Sequence, residues 1–171
     1  MQKIIVTGGL GFIGSNLIKI LLQKNYYVIN LDKISYASSF YNVKNFKNSK
    51  NYKFIKCDIN NQKKLLSIFK KFKPKGIFNL AAETHVDRSI DNPEAFIKTN
   101  ILAFFKFIIV IKEYWKKLQK KKKSSFRFIQ ISTDEVYGDI KKGSSTENSK
   151  IFSSSPYSAS KSSAEQLLLS F

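Results

Sequence analysis

The chain has 171 residues, 43% hydrophobic and 25% charged, which excludes a disordered tail and allows one domain with a real core. Its net charge of +18 comes from 30 Lys and Arg against 12 Asp and Glu, yet only Arg88 and Arg127 are arginines, the residue a phosphate-gripping surface favours for its bidentate fork. Lys, Ile, Phe, Asn and Tyr, all with A/T-rich codons, fill about half the chain, so the basicity reads as composition and no nucleic-acid partner is expected.

Lys3–Thr7 is short, β-branched and runs into glycines, the signature of a buried strand. Ile13, Leu17, Ile20 and Leu21 then recur at helical spacing. Tyr27–Leu31 reads as a second strand, residues 42–51 as a polar loop, and Tyr52–Lys56 as a third strand ending at Cys57-Asp58. Gln62–Phe72 is an amphipathic helix stopped before Pro74, and Gly76–Leu80 a fourth strand. A long helix is expected from Asn92, its N-cap, and Pro93, its first residue, to about Leu118. Lys116, Lys117 and Lys120 to Lys123 read as its end and a solvated loop. Phe126–Ser132 is a fifth strand, residues 139–154 a polar loop, and Ser155-Pro156 opens a last helix, Tyr157–Leu169. The longest apolar run, Ile101–Ile111, contains Lys106 and falls short of the roughly 20 residues a bilayer span needs. Glycines follow Met1–Val6 where a secretory cleavage site would stand, so no membrane association and a cytoplasmic location are expected. This mostly alternating order predicts an α/β fold, a doubly wound parallel sheet with ligands at the C-terminal ends of its strands.

Gly8-x-x-Gly11-x-x-Gly14 lies between the first strand and the first helix. Bare backbone there lets a pyrophosphate approach, and the helix N-terminus supplies N–H groups and a positive dipole. Asp32 ends strand two, where its carboxylate accepts from both ribose hydroxyls and repels a 2′-phosphate, which favours NAD over NADP. A nucleotide-triphosphate P-loop is excluded because Ser15-Asn16 replaces the required Lys-Ser/Thr. Tyr157 and Lys161, at i and i+4, share one helix face, so an ammonium stands ready to lower the phenol's pKa and make it a base. After strand five come Thr133, a substrate-facing hydroxyl, and the adjacent acids Asp134 and Glu135. Such a pair can divide acid and base roles in an elimination of water. Single residues carry less: His85 reads as a packing or hydrogen-bonding residue, with no metal expected, and Cys57 as a small buried one.

The glycine loop, the Tyr157/Lys161 pair and the strand order resemble the extended short-chain dehydrogenase/reductases, a family with a Rossmann sheet. Within it, the segments 7–15, 31–33, 57–59, 80–90, 132–138 and 157–161 closely resemble the dTDP-glucose 4,6-dehydratases. The resemblance implies NAD-mediated oxidation at C4 of the sugar by Tyr157, Lys161 and Thr133, proton removal from C5 by Glu135, and protonation of the C6 hydroxyl by Asp134. Hydride return to C6 then gives a 4-keto-6-deoxy sugar for deoxysugar biosynthesis. It also implies that Phe12, Ile13, Asp32, Lys33, Ile34, Ser35, Asp58, Ile59, Leu80, Ala81, Ala82, Glu83, Thr84 and Thr99, with Tyr157 and Lys161, line the NAD site, and that Thr84, Thr133 and Asp134 touch a nucleotide-sugar substrate.

Two departures stand out. Ala103-Phe104 replaces a usual Gly-Thr. Members of the family also run to roughly twice this length, so residues 1–171 are expected to be an NAD-binding domain without the later strands and the substrate domain, inactive on its own; the alternatives are a catalytically inactive NAD-binding module or a related nucleotide-sugar epimerase or dehydratase. A homodimer is expected through two long helices, with Phe104, Phe107, Ile108 and Ile111 on one and Leu167 and Leu168 on the other.

Overall fold

The computed structural model describes residues 1–140 and 142–171; Lys141, inside the loop expected over 139–154, lies outside the described residues. The chain divides into two compact units, Met1–Ala81 with Ile109–Ile131, and Ala82–Ile108 with Ser132–Phe171.

The first unit holds the sheet. Its strands are β1 (Lys3–Thr7), β2 (Tyr27–Asp32), β3 (Tyr52–Lys56), β4 (Gly76–Asn79) and β5 (Arg127–Gln130). All pair in parallel, in the order β3-β2-β1-β4-β5. The chain works outward from β1 to β3 and then crosses back to β4, so the switch point lies at the C-terminal end of β1. Ile5, Val6, Val28 and Ile29 are fully buried, as in a sheet covered on both faces, and each contributes about 2 kcal/mol by burial. Helix α1 (Phe12–Gln23) sets Ile18 and Leu21 into a core with Ile4, Val6, Val28 and Tyr52. Helix α2 (Gln62–Phe72) is capped by Asn61, which accepts from Lys64 N at 3.0 Å, and ends at the left-handed Lys73 before Pro74.

The second unit is helical. It contains α3 (Val86–Asp91), α4 (Pro93–Phe96), a π-helical stretch (Ile97–Ala103) and the first residues of α5 (Phe104–Lys116). A 3-10 turn (Asp134–Tyr137) and α7 (Pro156–Leu169) complete it. Ser155 and Ser158 form a reciprocal capping box, and Pro156 sits at the first helical position.

Several local expectations are corrected. The long helix runs continuously from Pro93 to Lys116, but through a widened π turn, and the Asn92 side chain makes no capping bond. The lysine-rich stretch is not all loop: α6 (Lys120–Ser125) is a short helix with no buried residue, steadied by Trp115, whose indole N–H donates to Lys123 O at 3.1 Å. The polar loop begins inside a 3-10 turn, Phe40–Val43, whose Val43 is buried. His85 is exposed, and its backbone carbonyl starts α3 by accepting from Ser89 N. Phe104, Phe107, Ile108 and Ile111 are buried within the chain and offer no surface to a partner, whereas Leu102, Phe105 and Leu169 are exposed. Among the described residues no helix is long and apolar enough to cross a membrane.

Candidate active site

In the first unit, the loop from Gly8 to Gly14 leaves β1 and enters α1. Gly8 adopts φ +67°, and a side chain on it would come within 2.8 Å of Leu80 O. A side chain on Gly14 would overlap the Gly8 carbonyl, so the loop closes only on bare backbone. Gly11 is the N-cap of α1 with no side-chain capping bond, and the first turn carries no acid. Its N–H groups and dipole therefore remain available to an anion. Phe12 (81% exposed) and Ile13 stand out at this helix start, an apolar pair that a bound ligand would cover.

Asp32 is buried and already engaged. Its Oδ2 accepts from Leu10 N at 3.0 Å, and Oδ1 accepts from Ile34 N at 2.8 Å and from the Ser38 hydroxyl at 2.7 Å. A carboxylate has about four acceptor sites, so roughly one is left for a ribose hydroxyl where two were expected. Beside it lies an open cavity of about 390 Å³ lined by Lys33, Ile34, Lys56, Cys57, Asp58, Asn61 and Lys64. Lys33, Ile34 and Asp58 were expected to line the cofactor site; Lys56, Asn61 and Lys64 were not, because their placement depends on how β3 and the start of α2 meet β2. Ile34 holds φ +64°, a conformation disfavoured for a β-branched residue, and its N–H uses that geometry to reach Asp32. Ser35 N bonds the Ser38 hydroxyl, while Ile59 is buried and outside the cavity lining. Cys57 is buried, and burial pushes its thiol above the ordinary pKa.

At the switch point, the Thr7 hydroxyl donates to Asn79 Oδ1 and accepts from Leu80 N and Ala81 N, both at 3.2 Å. Asn79 in turn donates to Gln130 Oε1 at 2.6 Å. This buried chain ties the ends of β1, β4 and β5 together beneath Leu80 and Ala81 and fixes the backbone that flanks Gly8.

In the second unit, Tyr157 sits in the first turn of α7, 8% exposed, edge-on to Phe96 and hydrogen-bonded to Thr133. Burial raises its pKa; the Thr133 bond opposes this, and the charges of Glu135 and Asp134 add to the rise. The expected lowering by Lys161 is not among these influences. Lys161 is itself 5% exposed, and burial brings its pKa down to about 8, opposed by Glu165. Thr133 caps the 3-10 turn by accepting from Glu135 N at 3.3 Å, which leaves Asp134 exposed and Glu135 half-buried. Thr133, Asp134, Glu135 and Tyr157 thus come together as expected, with Lys161 one turn further along α7.

Asn100 was missed. It is buried on the π stretch, accepts from Glu83 N, and donates to Glu83 O and to the Ser160 hydroxyl, each at 2.9 Å. One amide therefore clamps the Ala82–Thr84 segment onto α7, beside Tyr157. Its signal in the sequence is an Asn inside an apolar helix pattern, which marks a buried polar role but not its partners. Thr99 is half-buried next to it, and Thr84 is exposed. Among the described residues no three His, Cys, Asp or Glu cluster as metal ligands do.

Comparison with known proteins places the chain in a family. The family model described as GDP-mannose 4,6 dehydratase matches residues 5–171. The dTDP-glucose 4,6-dehydratase of Haemophilus influenzae is 44% identical over 98% of this chain and 51% of its own, and dTDP-glucose 4,6-dehydratase 1 of Escherichia coli is 41% identical over 98% and 49%. The crystal structure of the Bacillus anthracis dTDP-glucose 4,6-dehydratase in complex with NAD superposes with a TM-score of 0.84 at 36% identity, covering 99% of this chain and 50% of that one. A UDP-glucose 4-epimerase of Thermus thermophilus, also complexed with NAD, gives 0.84 at 26% identity, covering 99% and 50%. The chain spans about half the length of the curated relatives it matches. With the family model matched from β1 through α7 and near-complete coverage by relatives above 40% identity, this chain belongs to the GDP-mannose 4,6 dehydratase family.

Proposed function

We propose that residues 1–171 are the NAD-binding domain, carrying the catalytic residues, of a dTDP-glucose 4,6-dehydratase, a lyase of deoxysugar biosynthesis acting in the cytoplasm. The observation that carries the reading is the cluster of Tyr157, Thr133, Glu135 and Asp134, in which a phenol, a hydroxyl and two carboxyls act on one another. The sugar epimerases of this fold have no use for a second acid in that position, because they remove no water. The names of the relatives and the NAD in their structures support the same reading.

The loop fits the cofactor: side chains at Gly8 and Gly14 would collide with the backbone of Leu80 and Gly8, so the turn closes tightly only on bare glycine, and the uncapped start of α1 offers a pyrophosphate N–H donors. Gly8, Gly11, Gly14, Phe12 and Ile13 would hold the pyrophosphate. Asp32, Lys33, Ile34, Ser35, Asp58 and Ile59 would hold the adenosine half, and Leu80 to Thr84, Thr99, Tyr157 and Lys161 the rest. When bound, NAD supplies a two-electron acceptor that is restored by the end of each turnover.

The chain's own residues do the proton work. Tyr157 takes the proton of the sugar 4-hydroxyl, with Thr133 holding that hydroxyl and the phenol in one line. Lys161, one helical turn along α7 from Tyr157, is the cation assigned to support the phenol as it gives up its proton. The half-buried Glu135 removes the C5 proton, and the exposed Asp134 protonates the C6 hydroxyl, which leaves as water. Thr84 and Asp134 would touch the sugar. A homodimer would form through the exposed Leu102, Phe105 and Leu169 on the two long helices.

The test is incubation of the gene product that contains residues 1–171 with dTDP-glucose and NAD. The expected product is the substrate less one water by mass spectrometry, lost in Glu135→Gln. An epimerised sugar of unchanged mass would refute the dehydratase reading.

A further inference from the structure

Beneath the glycine loop, β2 carries Asn30, a carboxamide with no exposed surface. Its Nδ2 donates to the Tyr52 hydroxyl on β3 at 2.9 Å. Its Oδ1 is buried and accepts from no N–H or O–H. An orphaned buried oxygen is destabilising, and an aliphatic side chain of similar shape would avoid that loss. A polar group here therefore calls for a reason.

Directly above it stands Gly9. A side chain on Gly9 would overlap Asn30 Oδ1, and would lie 2.5 Å from Asn30 Cγ and 2.6 Å from Ile18 Cδ1. Gly9 lies outside the Gly8-x-x-Gly11-x-x-Gly14 spacing, so the pyrophosphate argument does not account for it. The missing Cβ points at the amide oxygen, which places one Gly9 Hα over Oδ1. An sp² oxygen is smaller than a methyl group and the carboxamide is flat, so backbone rests closer on Asn30 than on a leucine. The Tyr52 bond fixes which way that flat group turns.

We propose that Asn30 is a positioning residue for dinucleotide binding: oriented by Tyr52, it is the floor on which Gly9 rests, and it sets the height at which the loop presents its N–H groups to a pyrophosphate. The inference rests on the NAD reading above and adds a residue to it. The Asn30–Tyr52 pair links β3 to the loop, so a change at Tyr52, one strand away, reaches the cofactor site through Asn30 and Gly9.

The experiment compares NADH affinity, by fluorescence titration, with thermal melting. The informative variant is Asn30→Leu/Tyr52→Phe, which keeps volume and aromatic packing and leaves no orphaned polar atom. It is expected to melt no lower than the parent yet bind NADH about tenfold more weakly, because the loop is lifted. A merely structural role for the pair would move melting and affinity together. Gly9→Ala is expected to lower both, and adding Asn30→Ala, which removes the amide from that space and leaves only the end of the Ile18 side chain to shift, to recover part of each. Parent-like NADH binding by the Leu/Phe variant, or no recovery in the Gly9→Ala/Asn30→Ala chain, overturns the proposal while leaving the NAD reading intact. A parent chain that binds no NADH overturns both.

Discussion

Lys161 allows a prediction in which stability and chemistry oppose each other. It is 5% exposed on α7, and its pKa falls from 10.5 to about 8. Burial disfavours the ammonium more than the nearby Glu165 favours it. At neutral pH the folded chain therefore carries a charge that the unfolded chain holds more comfortably. At 1.36 kcal/mol per pKa unit, the shift from 10.5 to about 8 makes this cost about 3 kcal/mol at pH 7. The sign follows from proton binding: between about pH 8 and 10.5 the unfolded state binds more protons than the folded one, so stability rises with pH. Lys161→Met keeps the length and the apolar stem of the side chain and removes the charge. It is expected to stabilise the chain by up to about 3 kcal/mol at pH 7, roughly 6 to 12 °C in melting temperature for a chain of this size. The gain should shrink as pH rises from 8 and vanish above 10.5, where the lysine is neutral in both states. Turnover by the gene product should be lost in the same variant. The assay is thermal melting of parent and variant across pH 7 to 11. A variant less stable than the parent at pH 7, or a stability gap independent of pH, would refute the reasoning.

Asn100→Ala strips a partner from Glu83 N, Glu83 O and Ser160 Oγ, and is expected to cost about 2–4 kcal/mol in urea denaturation. Asn100→Asp, which keeps only the acceptor toward Glu83 N, should recover a minor part of that loss. Ile34→Asn relieves a β-branched residue held at φ +64° and is expected to stabilise the chain by about 1 kcal/mol, read by melting. Gly8→Ala must place a Cβ within 2.8 Å of Leu80 O at φ +67°; NADH titration should show binding lost, with a drop in melting temperature.

Much of the fold was legible because it is written in local periodicity. Tyr52–Lys56 and Gln62–Phe72 have the bounds that their residue patterns suggest, since β-branched and aromatic residues stiffen a strand and an apolar stripe with Asn61 before it and Pro74 after it delimits a helix. The active-site pattern was legible for a similar reason: Tyr157 and Lys161 are one helical turn apart, and Thr133, Asp134 and Glu135 are neighbours in the chain, so a short span of sequence already brings them together.

What stayed hidden depends on partners distant in the chain. Phe104, Phe107, Ile108 and Ile111 looked like a dimer face because a helix read alone shows which side is apolar but not what covers it; the chain covers them itself. Asp32 looked free for two ribose hydroxyls because the donors from Leu10 and Ser38 reach it only after the loops fold back. Asn100 and Asn30 stand inside apolar runs, and no sequence pattern singled out either one. Their partners lie 17 to 60 positions away for Asn100 and 22 for Asn30, at separations no local pattern encodes. The sequence by itself determined the elements, the order that makes a parallel sheet and the chemistry gathered after β5 and along α7. Tertiary structure alone decided which hydrogen bonds are already used, which apolar faces are already covered and which charges are buried, because each of these is a property of the space between elements.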